Sequence, residues 1–184
     1  MVAFVGLGNP GSEYVKTKHN IGFWAINAYA KRYNLSFQSG KGEYLYNSYK
    51  KRDVLIVKPT TYMNNSGLAV KDISSFWSLS PENIFIIFDD VDLPLGKIRI
   101  RKKGGDGCHR GVENIIYHLQ TNKFPRIRLG IGTDETMRPA EKYVLKPFLA
   151  KFESEVNMMV EKSADAIDSL LTHGINYTMN NFNS

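Results

Sequence analysis

The chain has 184 residues, 24 Lys and Arg against 18 Asp and Glu, and a formal net charge of +6 at pH 7. That length supports a full core without staples, and 42% hydrophobic against 23% charged residues is ordinary globular usage, which excludes a disordered chain. Apolar runs such as Ile84–Phe88 are too short to cross a bilayer, Met1–Pro10 lacks the features of a secretory signal, and the single cysteine excludes an internal disulfide. The expectation is a cytoplasmic protein of one domain over residues 1–184, with no membrane association and a bias toward polyanionic partners.

Val2–Val5 predicts a short buried strand, ended by the turn-rich Gly6-Leu7-Gly8-Asn9-Pro10-Gly11. The turn matches the spacing of a dinucleotide fingerprint, but Pro10 removes an amide from any phosphate cradle. No Asp or Glu lies between Glu13 and Glu43 to hold a ribose, so a Gly/Pro turn is the better reading. His19 and Asn20 precede a helix predicted over Ile21–Tyr33, with Asn20 at its N-cap. A histidine there can act as a general base, because an ordinary pKa of about 6.5 leaves its neutral form abundant; a surface or capping role is the blander reading.

Glu43–Tyr49 and Val54–Lys58 read as two strands joined by the charged turn Lys50–Asp53. Ser66–Leu79 reads as a helix capped by Asn65 or Ser66. Asn83–Phe88 is a continuous apolar strand of the kind covered on both faces. Asp89-Asp90-Val91-Asp92 comes just beyond it, where α/β folds place their ligands. Three readings are open: carboxylates holding Mg²⁺, one carboxylate orienting a histidine, or a solvated acidic turn.

Lys97–Arg101 alternates strictly, with Lys97, Arg99 and Arg101 on one face, and five cations in Lys97–Lys103 run into the glycine-rich Gly104–Gly111. Cations beside a glycine-rich loop ahead of a helix at about Val112–Leu119 suit phosphate; the charged edge of a sheet is the competing reading. Cys108 and His109 make a weak nucleophile–base pair, since adjacent side chains seldom face each other. Arg126–Ile131 predicts a strand with Arg126 and Arg128 on one face, a second basic surface if the two strands are neighbours. A long helix is expected over Pro147–Thr172 with Gly174 as its stop, and residues 175–184 as a flexible polar tail. Alternating strands and helices predict an α/β fold: a single-domain three-layer sandwich whose twisted, mixed, mostly parallel sheet is flanked by helices.

Five blocks in this order resemble bacterial-type peptidyl-tRNA hydrolase over almost the whole chain. They are Val5–Gly11 with Thr17-Lys18-His19-Asn20-x-Gly22, Lys58–Gly67, Asp89–Gly96, Gly104–Gly111 and Arg126–Gly132. The resemblance implies hydrolysis of the ester between a peptide and the terminal ribose of tRNA, recycling tRNA during translation. It implies a monomer, no metal and no organic cofactor, with the acceptor stem and 3′ end of peptidyl-tRNA as partner. His19 would be the general base for water, Asp89 would orient it, and Asn9 would recognise the peptide side of the ester. Asn64 would hold substrate or water, with Tyr14, Tyr62, Met63 and His109 around the tRNA end or peptide, and Arg101 and Arg128 near phosphates. The chain departs from the family pattern at Lys18, where arginine is usual, and at Arg110, where asparagine is usual. Val112-Glu113-Asn114 also lacks the usual basic residue. Arg110 has donors but no acceptor, so it fits a phosphate or a peptide carbonyl rather than the asparagine's role.

Overall fold

The computed structural model describes residues 1–183. In chain order the elements are β1 (Val2–Gly6), α1 (Ile21–Arg32), β2 (Gln38–Ser39), β3 (Tyr44–Tyr49), β4 (Val54–Pro59) and α2 (Ser66–Phe76). They continue with β5 (Ile84–Pro94), β6 (Ile98–Arg101), α3 (Arg110–Leu119), β7 (Arg126–Gly132), α4 (Ala140–Val144) and α5 (Glu153–Phe182). The seven strands form one sheet in the order β2-β3-β4-β1-β5-β7-β6. β4, β1, β5 and β7 run parallel, while β3 against β4 and β6 against β7 are antiparallel.

The parallel centre is apolar on both faces because both are covered. Phe4, Ile56, Ile87 and Ile127 join Ile21, Ile26 and Tyr29 of α1 and Val156, Met159 and Ile167 of α5 in one core. Val5, Leu55, Ile86 and Phe88 join Val70 and Ile73 of α2 and Ile115 of α3 in the other. Neighbouring residues of one strand feed opposite cores, as the two-residue period of a strand requires. The predicted three-layer sandwich is therefore the observed one.

The glycine-rich turn after β1 is a packing device. A Cβ on Gly6 would lie 2.2 Å from the carbonyl oxygen of Gly22, and one on Gly22 would lie 2.4 Å from that of Ile87. α1 thus starts directly against the backbones of β1 and β5, which brings the turn before it to the ends of those strands.

Two expectations are corrected and one is met. Asp89–Asp92 is no turn: β5 continues to Pro94, because the segment still pairs with β7, Asp89 opposite Leu129 and Asp90 opposite Gly130. Gly174, at φ 78° and ψ 174°, stops the first helical stretch as expected, and a second stretch follows across the kink. The supposed flexible tail continues α5 to Phe182, because Ile175, Met179 and Phe182 recur at helical spacing and pack on the core. The side chain of Asn183 then accepts from the N–H of Ile100 at 2.6 Å and donates to its carbonyl at 3.1 Å, which satisfies the open edge of β6. Ser184 lies outside the described residues.

Candidate active site

The parallel strands all point one way, so the C-terminal ends of β1, β4 and β5 open onto one crevice, as is usual for ligand sites in such sheets. The crevice is a cleft of about 940 Å³ lined by Asn9, His19, Tyr62, Met63, Asn64 and Asp89, among others. The segment after β1 contributes Asn9 and the turn Lys18–Asn20 contributes His19. The segment after β4 contributes Tyr62 to Asn64, and β5 contributes Asp89.

His19 and Asp89 meet although 70 residues separate them: Nδ1 of His19 lies 2.8 Å from Oδ1 of Asp89. Both are buried, Asp89 at 3% exposure. Burial opposes charging His19, but the Asp89 carboxylate outweighs it and raises the imidazole pKa above its ordinary 6.5. Burial alone would raise Asp89; His19 and His109 outweigh it and hold the carboxyl well below the usual range. With Nδ1–H donating to the carboxylate, Nε2 of His19 carries the lone pair and has no protein partner among the described residues.

Asn9 is positioned through its backbone. Its N–H donates to Oδ1 of Asn20 at 2.8 Å, and its carbonyl accepts from Nδ2 of Asn20 at 2.9 Å. Asn20 was expected to cap α1, but its side chain makes no cap bond, because it is committed to Asn9. The N–H of Met63 donates to Oδ1 of Asn9 at 2.7 Å, which leaves the Asn9 amide N–H groups for the cleft.

Other expected residues divide. Asn64 is exposed on the cleft wall, and Tyr62 lines it with Tyr14 packed edge-on behind at 6.2 Å. Tyr14 itself is off the wall. Met63 is buried between the two sides of the cleft. β6 and β7 are neighbours, and Arg101 lines the cleft beside Lys103. The second basic face is not free: Arg128 pairs with Asp90, and Arg126 is buried, donating to the carbonyls of Gly105 and Asn122. Burial and the neighbouring Arg128 pull Arg126 down to about 10. Arg110 lies on the rim, 3.2 Å from Glu141 and 3.7 Å from Glu113.

Three features were not foreseen. Residues 138–141, 144 and 145, partly from α4, also line the cleft; Pro139 ahead of Ala140-Glu141-Lys142-Tyr143 was the available helix-start signal. Lys18 is fully buried, its Nζ donating to the carbonyl of Pro147 at 2.9 Å and lying 4.2 Å from the centre of the Tyr143 ring, so it ties the base of α4 to the His19 turn. His109, mostly buried, lines the cleft with Nε2 3.0 Å from Oδ1 of Asp89, so much of its ring is spent on the protein.

The Mg²⁺ reading of the aspartates does not fit this arrangement. Asp89 serves two histidines, Asp90 pairs with Arg128 and Asp92 with Arg138, so the three carboxylates do not converge. His19, Asp89 and His109 do bring ligand atoms within 4.8 Å of one another. However, the N–H of Val112 donates to Nδ1 of His109, which leaves the proton on Nε2, where a metal would need a lone pair.

Comparison with known proteins agrees with the geometry. The family model described as peptidyl-tRNA hydrolase matches residues 3–184. The chain belongs to the peptidyl-tRNA hydrolase family. It is 45% identical over 185 residues to the peptidyl-tRNA hydrolase of Geobacillus thermodenitrificans, covering 100% of both chains. It is 41% identical to that of Thermodesulfovibrio yellowstonii, covering 99% of that protein. The crystal structure of peptidyl-tRNA hydrolase from Acinetobacter baumannii superposes with a TM-score of 0.91 at 32% identity, over 100% of this chain and 95% of that one.

Proposed function

We propose that the protein hydrolyses the ester linking a peptide to the terminal ribose of tRNA, with water as nucleophile. The observation that carries this reading is the buried His19–Asp89 pair, whose free Nε2 opens into the cleft beside the amide of Asn9. Nε2 removes a proton from water as the oxygen attacks the ester carbonyl, and Asp89 stabilises the imidazolium that forms. The imidazolium then returns the proton to the departing ribose oxygen. Asn9 donates its amide N–H to a peptide carbonyl, a contact a free amine cannot replace, and Asn64 steadies substrate or water. General-base catalysis supplies about 10²–10⁴-fold, and the rest comes from positioning and oriented donors.

Tyr62, braced by Tyr14, offers an aromatic face at the mouth, suited to a base of the tRNA end. Arg101 and Lys103 on the same wall take phosphates of the acceptor stem, while Arg128 acts through Asp90 as a support. The protein works as a monomer in the cytoplasm.

Release of the blocked amino acid from N-acetyl-aminoacyl-tRNA, with and without EDTA, tests the reading beside His19→Ala and free aminoacyl-tRNA. Cleavage that resists EDTA, needs His19 and prefers the blocked substrate is expected. Loss of activity to EDTA, or a folded protein that binds tRNA without cleaving it, would overturn it.

A further inference from the structure

Three contacts fix the His109 ring, whose centre also lies 4.9 Å from that of the His19 ring. The N–H of Val112 donates to Nδ1 at 3.3 Å, closing the first turn of α3, and Nε2 lies 3.0 Å from Oδ1 of Asp89. The ring of Phe88 packs on it edge-on, with centroids 4.9 Å apart. Because Val112 occupies Nδ1, the single ring proton sits on Nε2 and points at Asp89. His19 donates to the same oxygen at 2.8 Å. One carboxylate oxygen thus serves two donors, and what it gives to one it withholds from the other.

We infer that His109 is a positioning residue for the hydrolysis: its Nε2–H, fixed by the Val112 amide, holds Oδ1 of Asp89 in place and tempers the carboxylate's pull on the proton of His19. The inference rests on the reading of His19 as general base. A base oriented by an unshared buried carboxylate would hold its proton more tightly and keep less of its neutral form near neutral pH. Sharing Oδ1 keeps the orientation and weakens the pull.

Most charged groups around the pair are otherwise engaged, while Arg101 and Lys103 line the same cleft. Asp90 of β5 takes Arg128 of β7, Arg126 of β7 is turned to Gly105 and Asn122, and Glu141 of α4 meets Arg110 of α3. Asp89 is the only charged group acting appreciably on His19 among the described residues.

Two substitutions separate the two ends of the His109 ring. His109→Asn keeps an acceptor for the Val112 amide and removes the donor to Asp89; His109→Gln keeps a donor at the Nε2 position and removes the cap. The ring midpoint of His19 is read by NMR titration, its signal identified by its loss in His19→Ala, and the pH profile of kcat/KM is read on N-acetyl-aminoacyl-tRNA. In His109→Asn the His19 midpoint should rise by about one pH unit, and the acid limb of the profile should move with it. In His109→Gln both should stay within a few tenths of a unit of wild type. An unmoved or lowered midpoint in His109→Asn, or equal shifts in both variants, would overturn the inference. Turnover surviving in His19→Ala would reject His19 as base, while the NMR midpoints would still decide what His109 does to the pair.

Discussion

Asn20 holds Asn9 by both of its backbone groups, through two buried hydrogen bonds of 2.8 and 2.9 Å. The residue before the helix is thereby fastened to the strand-end turn, and the imidazole and the amide that line the cleft are set by one clasp. Asn20→Ala leaves two buried backbone groups unpaired, at a cost of about 2–4 kcal/mol in total. A fall in melting temperature of roughly 5–15 °C is expected, with a loss of kcat larger than the change in tRNA affinity.

Activity should rise with pH through the raised pKa of His19. The imidazole must be neutral to accept a proton, and Asp89 holds its pKa above 6.5, so the acid limb of kcat/KM should have its midpoint above that value. The same shift makes the pair's contribution to stability full below about 6.5 and lost as pH rises through the folded value. An acid limb centred below 6.5 would contradict the assignment.

Asn9→Asp keeps an acceptor for the Met63 amide but removes the donor that faces the cleft. A loss of about 10²–10³-fold in kcat is expected, with melting changed by only a few degrees. Near-normal turnover by a well-folded Asn9→Asp protein would show that the amide donor is not used.

The rim pair Arg110–Glu141 is open to solvent, at 64% and 73% side-chain exposure, so its removal should change stability by less than about 1 kcal/mol. On the reading of Arg110 as a phosphate contact, Glu141 competes with the substrate for it. Glu141→Gln should therefore tighten tRNA binding several-fold at low salt, and the gain should vanish as ionic strength rises. Filter-binding titrations at two salt concentrations would show it.

Gly6→Ala tests the packing role of the first turn. The added carbon would meet the Gly22 carbonyl oxygen at 2.2 Å, a backbone atom that cannot step aside without moving α1. A cost of about 3 kcal/mol or more is expected, read as a lower melting temperature or loss of soluble protein.

The sheet was readable because its central strands are unbroken apolar runs, and a run such as Ile84–Phe88 fits little else once flanked by turn residues. Reading stopped where polarity changed before structure did. Asp89, Asp90 and Asp92 look like the end of a strand, yet backbone pairing to β7 carries β5 past them. The last segment looks like a tail because Asn176 to Asn183 is mostly polar, yet three apolar residues at helical spacing are enough to seat it. Of the site, His19, Asp89, Asn9 and Asn64 were named from motifs, and they share one cleft. What the motifs withheld was partnership: that Arg128 is spent on Asp90, that His109 stands behind Asp89, and that Asn20 serves Asn9 rather than its helix.

The two walls of the cleft are built to different standards. On one side, strand ends and the His19 turn are bonded to each other through buried backbone groups. On the other, residues 138–141 meet their neighbours through the exposed pairs Arg138–Asp92 and Arg110–Glu141, while Tyr143 and Lys18 anchor the base behind them. Exposed pairs yield long before buried ones. The α4 wall is therefore the side of the cleft that gives way, while the strand ends keep His19, Asp89 and Asn9 in fixed relation.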